Sequence, residues 1–309
     1  MRILITGAGG FVGQYLVGRV LGDDAVTRVT LLDRHLPVLP HDERLVAIVG
    51  DLTDATVQAR AIDGGVDVLV HMATIPGGAA EAERGLSRRI NVDASLDLFD
   101  TVAAQGAKAA AKPRIVFTST IAVLPAPPPA YVDDTTPLEP FLSYGAHKAM
   151  CETYLADLHR RGEIEAISVR LPGILARPKG PSGLKSAFIS DMFHAALAGE
   201  GFTCPTTPDG HIWAMSVAQA CHNLCHAMHV DSRMMPASRT VTLPALRFSM
   251  GELAAALQAQ VSFAPDADLQ AQFAAQPPLS TPAAERAGFA HDGNLATLVQ
   301  RALAALKAD

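Results

Sequence analysis

Two residues four positions apart, Tyr144 and Lys148, indicate a site for proton transfer. Segment 144–161 has the pattern of an amphipathic helix, on which residues four apart share a face. An ammonium group beside a phenol lowers the pKa of the phenol, which would make Tyr144 a general base near neutral pH. Thr120 ends an apolar strand just upstream and could hold the substrate oxygen. The predicted catalytic residues are therefore Thr120, Tyr144 and Lys148, with Thr120 and Tyr144 touching the substrate.

The Tyr-Lys pair alone is most often a solvated helix face, and a glycine-rich turn near the start supplies the context. Predicted strand 2–6 runs into this turn, and a predicted helix follows it. Gly7 permits the tight turn, Gly10 lets a diphosphate approach the backbone, and Gly13 lets the helix pack on the strand. The motif predicts a dinucleotide site at the helix N-terminus, and a plain strand-to-helix connection is the alternative. The candidate contacts are Gly7, Gly10, Phe11, Val12 and Gly13.

Acidic residues at two predicted strand ends indicate which dinucleotide binds. Asp33 ends strand 28–33, about 20 residues past the last motif glycine, where a carboxylate accepts both adenosine ribose hydroxyls. It would repel the 2′-phosphate of NADP, although Arg34 could offset part of this repulsion, so NAD is predicted. Asp51 and Leu52 follow another strand and could contact the adenine. The alternatives are a turn or capping role for Asp33 and an N-cap role for Asp51.

The elements that position these residues follow from the alternation of apolar and amphipathic stretches. Six apolar, β-branched runs alternate with helical patterns, which predicts an α/β fold with a doubly wound parallel sheet. After about residue 175, prolines separate short helices, which predicts a smaller lobe. We expect a nucleotide-binding domain at 1–174 and a substrate lobe at 175–309, interleaved with the sheet near 215–230. The predicted strands are 2–6, 28–33, 45–49, 66–72, 113–119 and 164–171.

The composition excludes several classes of protein. The 309 residues include 25 Lys+Arg and 31 Asp+Glu, a net charge of −6 with no polybasic run, so nucleic acid is not an expected partner. No apolar run approaches the ~18 residues of a membrane helix, so no membrane interaction is expected. Four cysteines are too few for a disulfide framework, which predicts a cytoplasmic protein. The Cys and His residues of run 221–229 share helical faces but have no second ligand pair, so no metal is predicted.

Together the motifs resemble those of the extended short-chain dehydrogenases/reductases, the NAD-dependent epimerase/dehydratase family. The resemblance covers essentially the whole chain and extends to His71-Met-Ala73, Asn91-Val-Asp93 and Val169-Arg-Leu-Pro172. It implies a Rossmann-type sheet, a mostly helical C-terminal lobe, an NAD cofactor, and a homodimer formed through the predicted helices 86–106 and 144–161. The cofactor contacts it implies are Ala73 and Thr74 at the diphosphate, Asn91 ordering a water or the helix, Ser119 and Lys148 at the nicotinamide ribose, Tyr144 beside the nicotinamide, and Pro172 next to the carboxamide.

Segments 144–152, 177–190 and 211–216 are more narrowly similar to the D-erythronate dehydrogenase group of this family. Members of that group oxidise the 2-hydroxyl of a four-carbon sugar acid with NAD, which implies a small sugar acid as substrate. Ser182, Ser186 and His211 are the candidates for binding its carboxylate. A Ser-rich turn and helix start is the alternative for the serines, and His211 stands where an Arg is expected. Two other functions stay open: a nucleotide-sugar epimerase and a catalytically silent NAD-binding protein.

Overall fold

The computed structural model describes residues 1–106, 111–180 and 185–308 of the chain. Numbered in chain order, its strands are β1 (Arg2–Thr6), β2 (Arg28–Asp33), β3 (Leu45–Val49), β4 (Val68–His71), β5 (Arg114–Thr120), β6 (Glu165–Leu171), β7 (Gly173–Ile174), β8 (Phe202–Cys204), β9 (His211–Met215), β10 (Thr240–Thr242), β11 (Leu246–Ser249) and β12 (Val261–Phe263).

The helices of the described residues are mostly short. None of them is both long enough and apolar enough to cross a bilayer. They are α1 (Phe11–Leu21), α2 (Ala55–Ile62), α3 (Gly77–Ala82), α4 (Arg84–Arg88), α5 (Ala94–Gly106), α6 (Ser143–Arg160), α7 (Ala187–Ala198), α8 (Val217–His229), α9 (Met250–Leu257), α10 (Ala267–Phe273), α11 (Pro282–Arg286) and α12 (Leu295–Ala308).

Seven strands form one parallel sheet in the spatial order β10-β6-β5-β4-β1-β2-β3. Parallel neighbours need crossover connections, and the helices that provide them cover both faces of the sheet. The register places Thr6, His71 and Phe117 side by side across β1, β4 and β5. The same register aligns Ser119 with Arg170 across β5 and β6. The doubly wound parallel sheet predicted from the sequence is confirmed.

Each face of the sheet has its own hydrophobic core. Successive residues of a strand point to opposite faces, so Leu4 and Ile5 of β1 enter different cores. Ile5 packs in the core that contains Leu16 of α1 and Leu224 of α8. Leu4 packs in the core that α2, α5 and α6 cover, with Leu98 of α5 at its centre. Burial on both faces explains why these strands are apolar throughout rather than on alternate residues.

The second half of the chain builds the smaller lobe around a third core. The three-stranded sheet β11-β9-β7 and the pair β12-β8 pack with α7, α9 and α12 around residues such as Phe193, Leu253 and Leu298. Two elements of this half return to the main sheet: α8 packs against α1, and β10 pairs with β6 at the sheet edge. The sequence predicts that the segment near 215–230 is interleaved with the main sheet. It carries no clear signal for β10, which has only three residues.

One predicted helix, over 86–106, is divided in the structure. Helix α4 ends at Arg88, a π-helical turn spans Arg89–Asp93, and α5 begins at Ala94. The wider turn coincides with the buried side chain of Asn91, which faces the loop after β4. Such π-turns are common where a helix is adjusted for function.

Candidate active site

A cavity of about 710 Å³ lies at the carboxyl ends of β1, β2, β4, β5 and β6 and extends to β9 and α7 of the lobe. Ligands of open parallel sheets bind at this edge, where the strand order reverses, and here β1 lies between β4 and β2. The sequence-predicted residues that line the cavity are Gly7, Gly10, Phe11, Val12, Gly13, Asp33, Asp51, Leu52, Ala73, Thr74, Ser119, Thr120, Tyr144, Pro172 and Ser186.

The glycine turn is closed tightly around the start of α1. Gly7 has a φ of +71°, and a Cβ there would lie 2.7 Å from the Ala73 nitrogen. A Cβ at Gly13 would lie 2.3 Å from the Gly7 oxygen, so both positions exclude a side chain. Helix α1 has no side-chain cap, which leaves its first amides available to a diphosphate. The turn therefore fits the role predicted for it.

Gly9 belongs to the same turn, although the sequence argument did not single it out. Its amide donates to Asp33 Oδ2 at 2.9 Å, and the His35 amide donates to Asp33 Oδ1 at 3.2 Å. A Cβ at Gly9 would lie 1.9 Å from the His35 oxygen. The first strand-to-helix turn thus fixes the carboxylate of Asp33 at the end of β2. The available signal was a third glycine between Gly7 and Gly10.

The part of the cavity predicted to bind the adenine is lined by Asp51 and the buried residue Leu52. The Thr53 amide and hydroxyl donate to Asp51 Oδ1 at 2.8 and 2.9 Å, and the amide in particular lowers the pKa of this carboxyl. The N-cap of α2 is Asp54, whose side chain accepts from the Thr56 amide at 2.8 Å. Asp51 is therefore not the cap of this helix.

A buried network supports the loop that follows β4. The His71 ring joins the Thr6 hydroxyl at 2.8 Å and the Ser95 hydroxyl at 2.9 Å. Burial lowers the pKa of His71 to about 3, so the ring is neutral at physiological pH. The Asn91 side chain accepts from the Ile75 amide at 2.7 Å and donates to the Ile75 carbonyl at 2.9 Å. Asn91 does not itself line the cavity and instead holds the loop that does.

The predicted catalytic residues are brought together at the ends of β5 and α6. Tyr144 and Thr120 line the cavity, whereas Lys148 is buried behind them. Lys148 Nζ donates to the Thr118 carbonyl at 2.8 Å and lies 4.6 Å from the ring centre of Phe117. Its distance to the ring centre of Tyr144 is 5.8 Å. Burial lowers the pKa of Lys148 to about 8.

The predicted cause of the reactivity of Tyr144 needs a correction. We expected Lys148 to lower the pKa of the phenol. In the structure burial raises this pKa, and the charge of Arg177 and a hydrogen bond from Thr120 act in the opposite direction. Lys148 is directed at the Thr118 carbonyl rather than at the phenol oxygen. Arg177, which lines the cavity, is a cation whose charge lowers the pKa of Tyr144 and which the sequence argument did not identify.

Ser119 is held by a buried ion pair that sequence reasoning also missed. Its hydroxyl donates to Glu152 Oε1. Arg170 donates to the same carboxylate through Nε at 3.0 Å and through a terminal nitrogen at 2.7 Å. Glu152 is 4% exposed. The available signal was spacing, because Glu152 follows Lys148 by the same four residues that separate Lys148 from Tyr144.

The residues predicted for the substrate carboxylate are only partly assembled. Ser186 lines the cavity just before α7. His211 is not among the cavity residues. It lies at the start of β9, where it pairs with Ser249 and its backbone bonds to 274 and 276. Ser182 lies outside the described residues. The lobe residues that do line the cavity include Trp213, whose Nε1 donates to the Pro277 carbonyl at 2.8 Å.

The chain is similar to several known proteins over most of its length. A D-erythronate dehydrogenase from Cupriavidus necator is 34% identical over 267 residues, 84% of this chain and 81% of that protein. A D-erythronate dehydrogenase from Haemophilus influenzae is 29% identical over 256 residues, 82% of this chain and 80% of that protein. The crystal structure of a nucleoside-diphosphate-sugar epimerase from Agrobacterium tumefaciens superposes with a TM-score of 0.90 at 30% identity, covering 97% of this chain and 92% of that one.

The sequence profile of the NAD dependent epimerase/dehydratase family matches residues 3–214, more than half of the chain. The matched part contains the glycine turn, Asp33, the buried network after β4, and the Thr120–Tyr144–Lys148 group. The chain belongs to the NAD dependent epimerase/dehydratase family and is an NAD-dependent dehydrogenase of that family.

Proposed function

We propose that the protein oxidises the 2-hydroxyl group of a small sugar acid such as D-erythronate to the 2-oxo acid, with NAD as the oxidant. One observation carries this proposal: Thr120 and Tyr144 line the same cavity as the glycine turn and Asp33. A base for the substrate hydroxyl thus shares one cavity with the elements that fit a dinucleotide. The relatives that act on D-erythronate support the class of substrate.

In this mechanism Tyr144 takes the proton of the 2-hydroxyl, and Thr120 holds the same oxygen through a hydrogen bond. Bound NAD supplies the acceptor for the hydride that leaves C2. Burial opposes the phenolate form of Tyr144, and Thr120 and the charge of Arg177 favour it. A positioned general base contributes ~10²–10⁴ in rate, which is the share we assign to Tyr144.

We assign residues to three parts of the cofactor: the diphosphate, the adenosine ribose and the nicotinamide ribose. The uncapped start of α1 and the glycine turn would bind the diphosphate, and Asp33 would bind the adenosine ribose. Ser119 and Lys148 would hold the nicotinamide ribose. Both are fixed by buried contacts, Ser119 by Glu152 and Lys148 by the Thr118 carbonyl, so they need little reorganisation on binding.

The direct test is NADH absorbance with D-erythronate and other aldonic acids as substrates. We expect net NADH formation by the wild type. Tyr144→Phe should reduce turnover by ~10²–10⁴ and leave NADH binding nearly unchanged, because the ring and its packing remain. Lys148→Ala should weaken both binding and rate. Wild-type activity in Tyr144→Phe would reject the mechanism.

The same assay distinguishes the two other candidate functions. An epimerase would form product from a nucleotide sugar without net NADH formation. A non-catalytic NAD-binding protein would bind NADH and turn over none of these substrates.

Preference for NADPH over NADH in a binding titration would contradict the role of Asp33, and Asp33→Ala should weaken NADH binding.

We also propose that the protein is a homodimer that pairs α5 and α6 with the same helices of a second copy. The resemblance to the family is the source of this proposal. Two features support it: α5 and α6 are joined by a hydrogen bond from the Tyr154 hydroxyl to Asp100 Oδ1 at 2.6 Å, and α6 exposes 48% of the apolar Met150 side chain. In such a dimer, burial of Met150 against the second copy would contribute to the association.

A further inference from the structure

Arg177 is a cavity residue to which the mechanism above assigns only an electrostatic effect. It follows β7 and lines the same cavity as Tyr144 and Ser186. We propose that the Arg177 guanidinium binds the carboxylate of the substrate and thereby selects 2-hydroxy acids over uncharged polyols. This inference rests on the proposed oxidation of a sugar acid and names the group that recognises the acid.

The backbone at Arg177 is held in one conformation from both sides. Ala176 is fully buried and has a φ of +55°, a left-handed conformation that is strained for a residue with a Cβ. The Arg177 amide donates to Ser190 Oγ at 3.2 Å, and its carbonyl accepts from His194 Nε2 at 2.7 Å. Both partners belong to α7. Strain maintained by such anchoring is found mainly at functional positions, where it directs a side chain.

The side chain is oriented as well as the backbone. Arg177 Nε donates to the Ile174 carbonyl at 3.1 Å, which fixes the plane of the guanidinium. Its terminal nitrogens form the edge that pairs side by side with a carboxylate. A guanidinium held in this plane can bind a planar anion through two parallel hydrogen bonds, whereas a lysine would offer only a single-point contact.

The charge of Arg177 has no internal counter-ion in the part of the chain that the structure describes. None of the ion pairs formed there includes Arg177. Burial lowers the pKa of Arg177, yet an arginine keeps its proton in proteins. Arg177 is partly shielded from water. A cation in such a place is stabilised by an accompanying anion, and an anionic ligand in the cavity meets this need.

The position of Arg177 relative to the base matches a 2-hydroxy acid. In such a substrate the carboxylate is bonded to the carbon that carries the reacting hydroxyl, so its partner must lie near Tyr144. The Arg177 charge acts on the pKa of Tyr144, which puts the two groups within electrostatic reach. Lys179 and Lys185 also line the cavity but are exposed, so water screens their charges. Arg34 lies beside Asp33 at the adenosine end.

The test compares the wild type with Arg177→Gln and Arg177→Lys. Calorimetry measures binding of D-erythronate to the protein loaded with NADH, and kinetics compare D-erythronate with erythritol, an uncharged polyol of the same length. We expect Arg177→Gln to weaken acid binding and kcat/KM for the acid by ~10²–10³, the usual effect of truncating one partner of a desolvated charge pair. Activity with erythritol should fall only as far as the higher pKa of Tyr144 requires, so the loss for the acid should exceed the loss for the polyol by at least about tenfold. Arg177→Lys should recover part of the acid binding.

Arg233→Gln is the matched control, because it removes the same charge from an exposed pair with Asp231. Normal NADH binding by Arg177→Gln shows that the variant is folded. Equal losses for acid and polyol, wild-type acid binding by Arg177→Gln, or no acid binding by the wild type would each overturn the assignment. If the wild type binds the acid but forms no NADH from any 2-hydroxy acid, the proposed function fails, and the calorimetry still decides the role of Arg177.

Discussion

Tyr144 owes its acid-base properties to groups from several parts of the chain. Burial raises the pKa of its phenol, and the Thr120 hydrogen bond and the Arg177 charge lower it. Lys148, on the same helix as Tyr144, is committed to the Thr118 carbonyl and lies 5.8 Å from the centre of the tyrosine ring. Helix α6 therefore carries the proposed base, and groups from β5 and from the segment after β7 shift the pKa of that base.

The pH dependence of oxidation follows from this balance. Because Tyr144 must lose its proton to act as a base, kcat/KM should rise with pH through the pKa of Tyr144. Arg177→Gln removes a charge that lowers this pKa, so the rising limb should move to higher pH. Thr120→Val should move it in the same direction. The measurement is a kcat/KM profile with erythritol, which has no charge of its own, and a limb unchanged in both variants would contradict the assignment to Tyr144.

At the scale of elements, a buried ion pair couples β5, α6 and β6. Glu152 of α6 accepts hydrogen bonds from Ser119 of β5 and Arg170 of β6, and both charged side chains are largely shielded from water. Because the Ser119 hydroxyl donates its hydrogen to Glu152, the lone pairs of the hydroxyl oxygen stay available to the cofactor ribose. We therefore regard Glu152 as a positioning residue.

Glu152→Gln should destabilise the protein by about 3 kcal/mol, because it leaves the buried charge of Arg170 without its counter-ion. It should also weaken NADH binding through the loss of an oriented Ser119. Chemical denaturation and NADH fluorescence measure the two effects. The control is Glu163→Gln, which breaks an exposed pair with Arg161 and should cost less than about 1 kcal/mol. Equal effects of the two substitutions would refute the positioning role.

The turn between β1 and α1 offers a second comparison at this scale. Gly9→Ala places a methyl group 1.9 Å from the His35 carbonyl, so the turn must shift and the Asp33 carboxylate loses its anchor. We expect NADH affinity to fall by at least ~10-fold, the equivalent of one lost hydrogen bond to a charged group. The control is Gly18→Ala, within α1, where an added methyl group has no neighbour within 4 Å. It should stabilise α1 by ~0.5–1 kcal/mol and leave NADH affinity unchanged. Unchanged affinity in Gly9→Ala would contradict the role of the turn.

At the scale of the whole molecule, the proposed dimer makes a prediction about α6. Sedimentation of the wild type at micromolar concentration should show a dimer, and Met150→Glu should shift it toward monomer by placing a charge in the interface. Leu197→Glu is the matched control, because Leu197 of α7 has a similar exposed fraction, 43% against 48%, outside the proposed interface. A monomeric wild type, or equal effects of both substitutions, would reject the proposed dimer.

Local sequence signals predicted the central architecture well. The strands at 2–6, 28–33 and 45–49 have the predicted bounds. Strands 2–6 and 28–33 are apolar throughout because they are buried on both faces of the parallel sheet, whereas 45–49 is an edge strand and is partly exposed. The glycine turn and Asp33 were equally readable, since backbone geometry restricts which residue types fit there. Tyr144 and Lys148 were identified by helical spacing, which local structure alone determines.

The tertiary structure alone determined the contacts between segments that are distant in the sequence. The influence of Arg177 on Tyr144 joins residues 33 positions apart, and the anchoring of Ser119 by Glu152 and Arg170 joins three separate elements. The absence of His211 from the cavity lining is likewise a property of the folded chain, and β10 is too short to be recognised without its partner strand. Desolvation and charge proximity are properties of the folded packing, so the sequence suggested the proposed reacting groups, and the fold alone set their partners and the direction of their pKa shifts.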